Sequence, residues 1–124
     1  MSAVTPLYSI DQAKAQLAAL RPALDEIIEL RADTAELQMA LRGGPSTTLG
    51  GLPEFKAAQA RLDELISALT DGEVQVKGIA PLLLDFPAEL DGEAVLLCWL
   101  EGDPELGWYH RADLGFLGRR PLPG

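Results

Sequence analysis

Apolar positions in the first part of the chain recur every three or four residues. Between Tyr8 and Gly44 they fall at Ile10, Ala13, Leu17, Leu20, Leu24, Ile27, Ile28, Leu30, Leu37 and Leu41. That spacing makes a wide stripe on one long helix. Ser9 followed by Gln12 fits a capping box, and Asp11 sits where the helix dipole favours a negative charge. Gly43 and Gly44 stop the helix. Pro22 lacks an N–H and its ring crowds the carbonyl of Ala18, so a kink or a short break is expected there. A second stripe, at Phe55, Ala58, Leu62, Leu65, Ile66 and Leu69, predicts a second helix from Leu52, with Pro53 in its first turn and Asp71-Gly72 at its end. The connection PSTTLGG is short, so the two helices form an antiparallel hairpin.

From residue 73 the period shortens. EVQVKGI, LLLDF, EAVLLCWLE and LGWYHR are brief segments rich in aliphatic and aromatic residues, separated by Ala80-Pro81, Asp91-Gly92 and Gly102-Asp103-Pro104. They predict a four-stranded antiparallel meander. The expected fold is therefore α+β in a single domain. A long-helix hairpin, residues 1–72, packs on one face of the sheet and C-terminal tail of residues 73–124.

Side chains alternate along a strand, so the pairing decides which residues meet. An Asp91-Gly92 hairpin places Phe86 opposite Leu97 and Asp85 opposite Cys98. A turn centred on Asp103-Pro104 or Pro104-Glu105 then sets Trp99 opposite Trp108 or His110. On that count one face carries Leu82, Leu84, Phe86, Val95, Leu97, Trp99, Trp108 and His110. The other carries Leu83, Asp85, Leu96, Cys98, Leu100, Tyr109 and Arg111. Cys98 and His110 then point to opposite sides and cannot form a thiolate–imidazole pair or share a metal unless a bulge flips one of them. The first face belongs against the helices. The second, with Leu83, Leu96, Cys98 and Leu100, is too apolar for water, because each exposed leucine forgoes roughly 1.5–3 kcal/mol. The first helix, at roughly 50 Å for thirty-odd residues, also overhangs strands of about 20 Å. Both features predict a homodimer with those four residues at the interface.

Composition narrows the partners. The 124 residues carry a formal charge of −9, which disfavours nucleic acid and anionic membranes. The single cysteine makes no internal disulfide and belongs to no C-x-x-C spacing. No stretch is long and apolar enough for a membrane span, and the first 20 residues do not read as a secretion signal, so the expected compartment is the cytoplasm. Between residues 71 and 105 Lys77 is the one base among acidic side chains, whereas the end of the chain carries His110, Arg111, Arg119 and Arg120.

Candidate chemistry is sparse. Asp85 lies inside the apolar strand LLLDF, where a half-buried carboxylate needs a partner. Tyr109, Arg111 and the Arg119-Arg120 pair are its candidate partners, and with His110 they form a candidate binding site for a small anionic ligand. GGPSTTLGG lacks the lysine ending of a phosphate loop. Catalytic residues, a metal and a cofactor are not expected.

The stretch VQVKGI…LLLDFPAELDGEAVLLCWLEGDPELGWYHRADLGFLGRRPL resembles the C-terminal half of the bacterial family grouped as domain of unknown function 2203. Asp85, Phe86, Pro87, Cys98, Trp99, His110, Gly118 and Arg119 coincide with the family pattern, and YSIDQAKAQLAALRPAL is similar to its opening. Leu82, Asp103, Arg120 and the intervening Tyr109 depart from it. The resemblance implies the architecture and no activity. The leading expectation is a non-enzymatic protein that acts through homo-oligomerisation and partner binding. The alternative is a small-molecule or metal-binding protein, an enzyme included, with a site near Asp85, Tyr109, His110, Arg111 and Arg119.

Overall fold

The structure, a computed structural model, describes residues 8–123. The element order is α1 (Ile10–Leu41), α2 (Leu52–Asp71), β1 (Gln75–Ile79), β2 (Leu82–Leu90), β3 (Glu93–Leu100), β4 (Trp108–Arg111), a short 3-10 turn at Phe116–Gly118 and β5 (Arg120–Pro121). The class is α+β, as the periodicities require. The sheet has five strands in the order β1-β2-β3-β4-β5, every pair antiparallel. The additional strand, β5, spans two residues and ends in proline. No hydropathy period marks so short an element.

The chain divides into two compact units. Among the described residues, one unit joins those from Tyr8 to Leu20 to those from Leu69 to Pro123; the other runs from Arg21 to Ala68.

In the helical unit, α1 and α2 bury Leu24, Ile27, Leu37, Leu62 and Leu65, all members of the two stripes. Arg61 Nε and Nη2 donate to the two carboxylate oxygens of Glu26 at 2.8 and 3.0 Å, a bidentate tie between the helices. Pro22 does not break α1, which continues through it. Gly43 ends α1 in a left-handed conformation (φ 88°), and the Gly44 N–H returns to the Met39 carbonyl at 2.9 Å. That is a Schellman closure.

In the sheet unit, the start of α1 has a reciprocal capping box. Ser9 N donates to Gln12 Oε1 at 2.9 Å, and Gln12 N donates to Ser9 Oγ at 3.0 Å. β2 continues past the end of β1, and there Tyr8 takes the vacant side, its N–H donating to the Pro87 carbonyl at 3.0 Å. Pro87 can occupy an inner strand here because regular pairing on that side has stopped. The Tyr8 ring meets Phe86 edge-on at 5.6 Å. Phe86, Leu82, Leu84, Ala88, Val95, Leu97 and Trp99 are all buried on this face, which forms the core.

Two hairpins decide what the opposite face carries. Asp91 (φ 52°) and Gly92 (φ 78°) are both left-handed, as a two-residue type I′ turn requires. The β2–β3 register follows as expected: Phe86 opposite Leu97, and Asp85 opposite Cys98. The β3–β4 register does not. Cys98 pairs with Trp108, Leu97 with Tyr109 and Leu96 with His110. The pairing is centred on one residue, Asp103, and not on the bond between two. Asp103 holds the loop there: its N–H donates to the Leu100 carbonyl at 2.8 Å, and its Oδ2 accepts from Leu100 N at 3.0 Å. A one-residue change of register turns every side chain of the partner strand over. Trp108 and His110 therefore join the face of Cys98, and Tyr109 and Arg111 leave it. The expected separation of Cys98 from His110 is overturned.

Candidate functional site

The Cys98 face carries Asp85 from β2, Cys98 from β3 and His110 from β4 side by side. Their side chains are buried, at 3%, 0% and 3% exposure. One ligating atom from each lies within 4.8 Å of the others. The sheet positions them: Asp85 and Cys98 are direct cross-strand partners, and His110 stands opposite Leu96, the next residue of β3 on that face.

The histidine is oriented from behind. Its Nδ1 lies 2.8 Å from the carbonyl oxygen of Arg111, a group that only accepts. Nδ1 therefore carries a proton. Nε2 faces Asp85 Oδ2 at 3.1 Å. A neutral imidazole in this tautomer turns a lone pair toward a carboxylate. The arrangement needs a proton or another cation between the two atoms. Asp85 Oδ1 is buried and accepts no hydrogen bond among the described residues.

Two cations flank the cluster. Lys77, the extra residue of a bulge in β1, brings Nζ to 4.0 Å from Asp85 Oδ2. Arg119 reaches over the thiol, Nη1 donating to Cys98 Sγ at 3.8 Å and to Asp103 Oδ2 at 3.2 Å. Its guanidinium stacks 4.4 Å from the Trp108 ring centre and 4.8 Å from that of Phe116. The chain after β4 thus folds back over this face as a strap. Burial is the main force on the thiol and raises it from an ordinary 9.0 to about 11; Arg119 pulls it down, and the Asp85 carboxylate pushes it up by its charge and by accepting a hydrogen bond from the thiol. A thiol so held is protonated at neutral pH and is a poor nucleophile. The histidine does not relay between thiol and carboxylate, because Nε2 is the ring atom that meets Asp85 while Nδ1 is engaged by the backbone.

Of the six residues expected at a ligand site, Asp85, His110 and Arg119 come together. Tyr109 and Arg111 lie on the core side of β4; Arg111 is exposed and pairs with Asp113 and Glu93 at 2.9 and 3.8 Å. Arg120 is exposed in β5, opposite Tyr109. Arg119 and Arg120 do not act as a pair on this site, since Arg119 is turned inward to Asp103 and Arg120 is exposed. Cys98, expected at an interface, belongs to the cluster, and Leu96 beside it is also buried. Leu83 and Leu100 remain half-buried and, with Gly78, Ala80, Pro81 and Phe116, line an apolar groove of about 370 Å³. Lys77 and Asp103 were not expected at the site. The signal for Asp103 was present in the sequence: an aspartate after a strand can bond that strand's last N–H and centre the loop on itself.

Among the described residues no helix is long and apolar enough to cross a membrane. Neither the curated proteins nor the solved structures contain a match to this chain. The family described as "Uncharacterized conserved protein (DUF2203)" matches residues 6–122. With nearly the whole chain covered, the protein belongs to the DUF2203 family.

Proposed function

We propose that this protein is a non-enzymatic cytoplasmic binding protein, and that a positively charged ligand is held by Asp85, Cys98 and His110 beneath the C-terminal strap. One observation carries the reading: the carboxylate of Asp85 is buried with Oδ1 unpartnered, while Oδ2 faces a ring nitrogen whose companion already carries a proton. A finished structural pair would satisfy both oxygens. A cation bound here would supply the partner that Oδ1 lacks.

The stability of the ligand-free Asp85→Asn variant tests this. An asparagine amide can donate to Nε2 of a neutral His110 and needs no counter-charge. The binding reading expects the variant to unfold at the same denaturant midpoint as the parent, or a higher one, since functional sites are held at a cost in stability. A structural ion pair expects a loss of about 3–5 kcal/mol when one partner is removed. A loss of that size contradicts the proposal.

A second reading rests on a separate feature. The groove between Leu83, Leu100 and Phe116 is apolar, and Leu117 beside Phe116 is 97% exposed. Such a patch suits a second copy of the chain, as a homodimer.

A further inference from the structure

We infer that the ligand of this centre is a single divalent transition-metal ion of the zinc class, bound by Asp85, Cys98 Sγ and His110 Nε2. The inference rests on the binding reading above and names its ligand. The geometry comes first. A tetrahedral ion with bonds of about 2.0–2.3 Å sets its ligand atoms roughly 3.3–3.8 Å apart. Here the Nε2–Oδ2 separation is 3.1 Å and all three ligating atoms lie within 4.8 Å of one another. Closing the set requires side-chain movement of about 1 Å and no change of strand register.

The surroundings agree with the geometry. A metal-bound histidine commonly donates its other N–H to a carbonyl or carboxylate, which fixes the tautomer and aims the lone pair. His110 does this through Nδ1 and the Arg111 carbonyl. The buried, unpartnered Oδ1 of Asp85 gives the ion a second carboxylate oxygen within the same residue.

The donor set selects the metal. One sulfur, one imidazole nitrogen and one carboxylate suit zinc or cobalt(II). Calcium and magnesium prefer shells of oxygen alone. Charge also balances. The Cys98 S–H bond breaks as the S–metal bond forms, and the proton leaves to solvent. A second proton leaves from Nε2 when the imidazole starts doubly protonated. A divalent cation with one thiolate and one carboxylate then sums to zero, while the flanking Arg119 is paired with Asp103 and Lys77 is exposed to solvent. Three protein ligands leave a fourth position for water. Arg119, stacked between Trp108 and Phe116 over the thiol, closes that side.

The experiment uses the full chain, stripped with a chelator and titrated with cobalt(II) alone. One equivalent of cobalt and a thiolate-to-cobalt absorption band in the near ultraviolet are expected. The band is lost in Cys98→Ser, and binding is lost in His110→Gln. Zinc displaces the cobalt and raises the melting temperature of the unmodified chain, a readout that needs no variant to fold. Absent binding, binding without the sulfur band, or a melting temperature indifferent to zinc overturns the assignment. Those failures are separable from failure of the binding reading. If metal does not bind but Asp85→Asn is as stable as the parent, the centre takes another cation. If that variant is severely destabilised as well, both readings fall.

Discussion

Burial raises the Cys98 thiol to about 11, and this single residue links the packing of the sheet to the pH dependence of the metal-free chain. The thiol's value in the unfolded chain lies near 9.0, below the folded one. Its contribution to stability is therefore complete below about pH 9 and is lost as pH rises through about 11. Tyr8 adds to the loss at higher pH, because burial and then Glu73 raise its hydroxyl above the ordinary 10.0. Thermal melting between pH 8 and pH 11 checks this. The parent should lose more stability over that range than Cys98→Ala, whatever their difference at pH 8; equal losses would contradict the burial of a protonated thiol. At this scale the sequence was partly legible. Asp85 stood out as a carboxylate in an apolar strand that needed a partner. That its partner is His110 could not be read from residue type, because the answer depends on which face each strand presents.

The elements were legible wherever a local signal was complete. Ser9 and Gln12 bond each other as their spacing implies, and Asp91-Gly92 allows one tight turn and hence one register. Helix ends were less so. Both helices close with the same backbone pattern, but the left-handed residue is Gly43 in one and Glu73 in the other. The glycine at position 72 therefore does not mark the end conformation. The β3–β4 loop is where the local signal and the fold part. A proline after Asp103 suggests a turn centred on a bond, whereas the aspartate side chain caps Leu100 and centres the loop on itself. The resulting shift of one residue moved His110 across the sheet and created the only group of three ligating side chains among the described residues. β5 and the strap were invisible for a different reason: two paired residues and one 3-10 turn carry no periodicity.

For the whole molecule, the apolarity of the second sheet face was legible, and its cover was not. Much of what a second subunit was expected to hide is hidden by the chain itself: Leu96 and Cys98 are buried without a partner. What is left for association is the groove beside Leu83 and Leu100, with Phe116 and Leu117. Sedimentation at micromolar concentration should show a dimer that Leu117→Asp shifts to monomer; a monomer throughout removes the homodimer reading and leaves the binding centre intact. That centre depends above all on Cys98 and His110 sharing a face. The protein has one histidine and one cysteine, so their resonances are unambiguous. Nuclear Overhauser spectroscopy of the metal-free chain should give cross-peaks between the His110 ring protons and the Cys98 Hβ protons. Cross-peaks from the His110 ring to Leu97 and Trp99 in their place would put it on the core face and contradict the account.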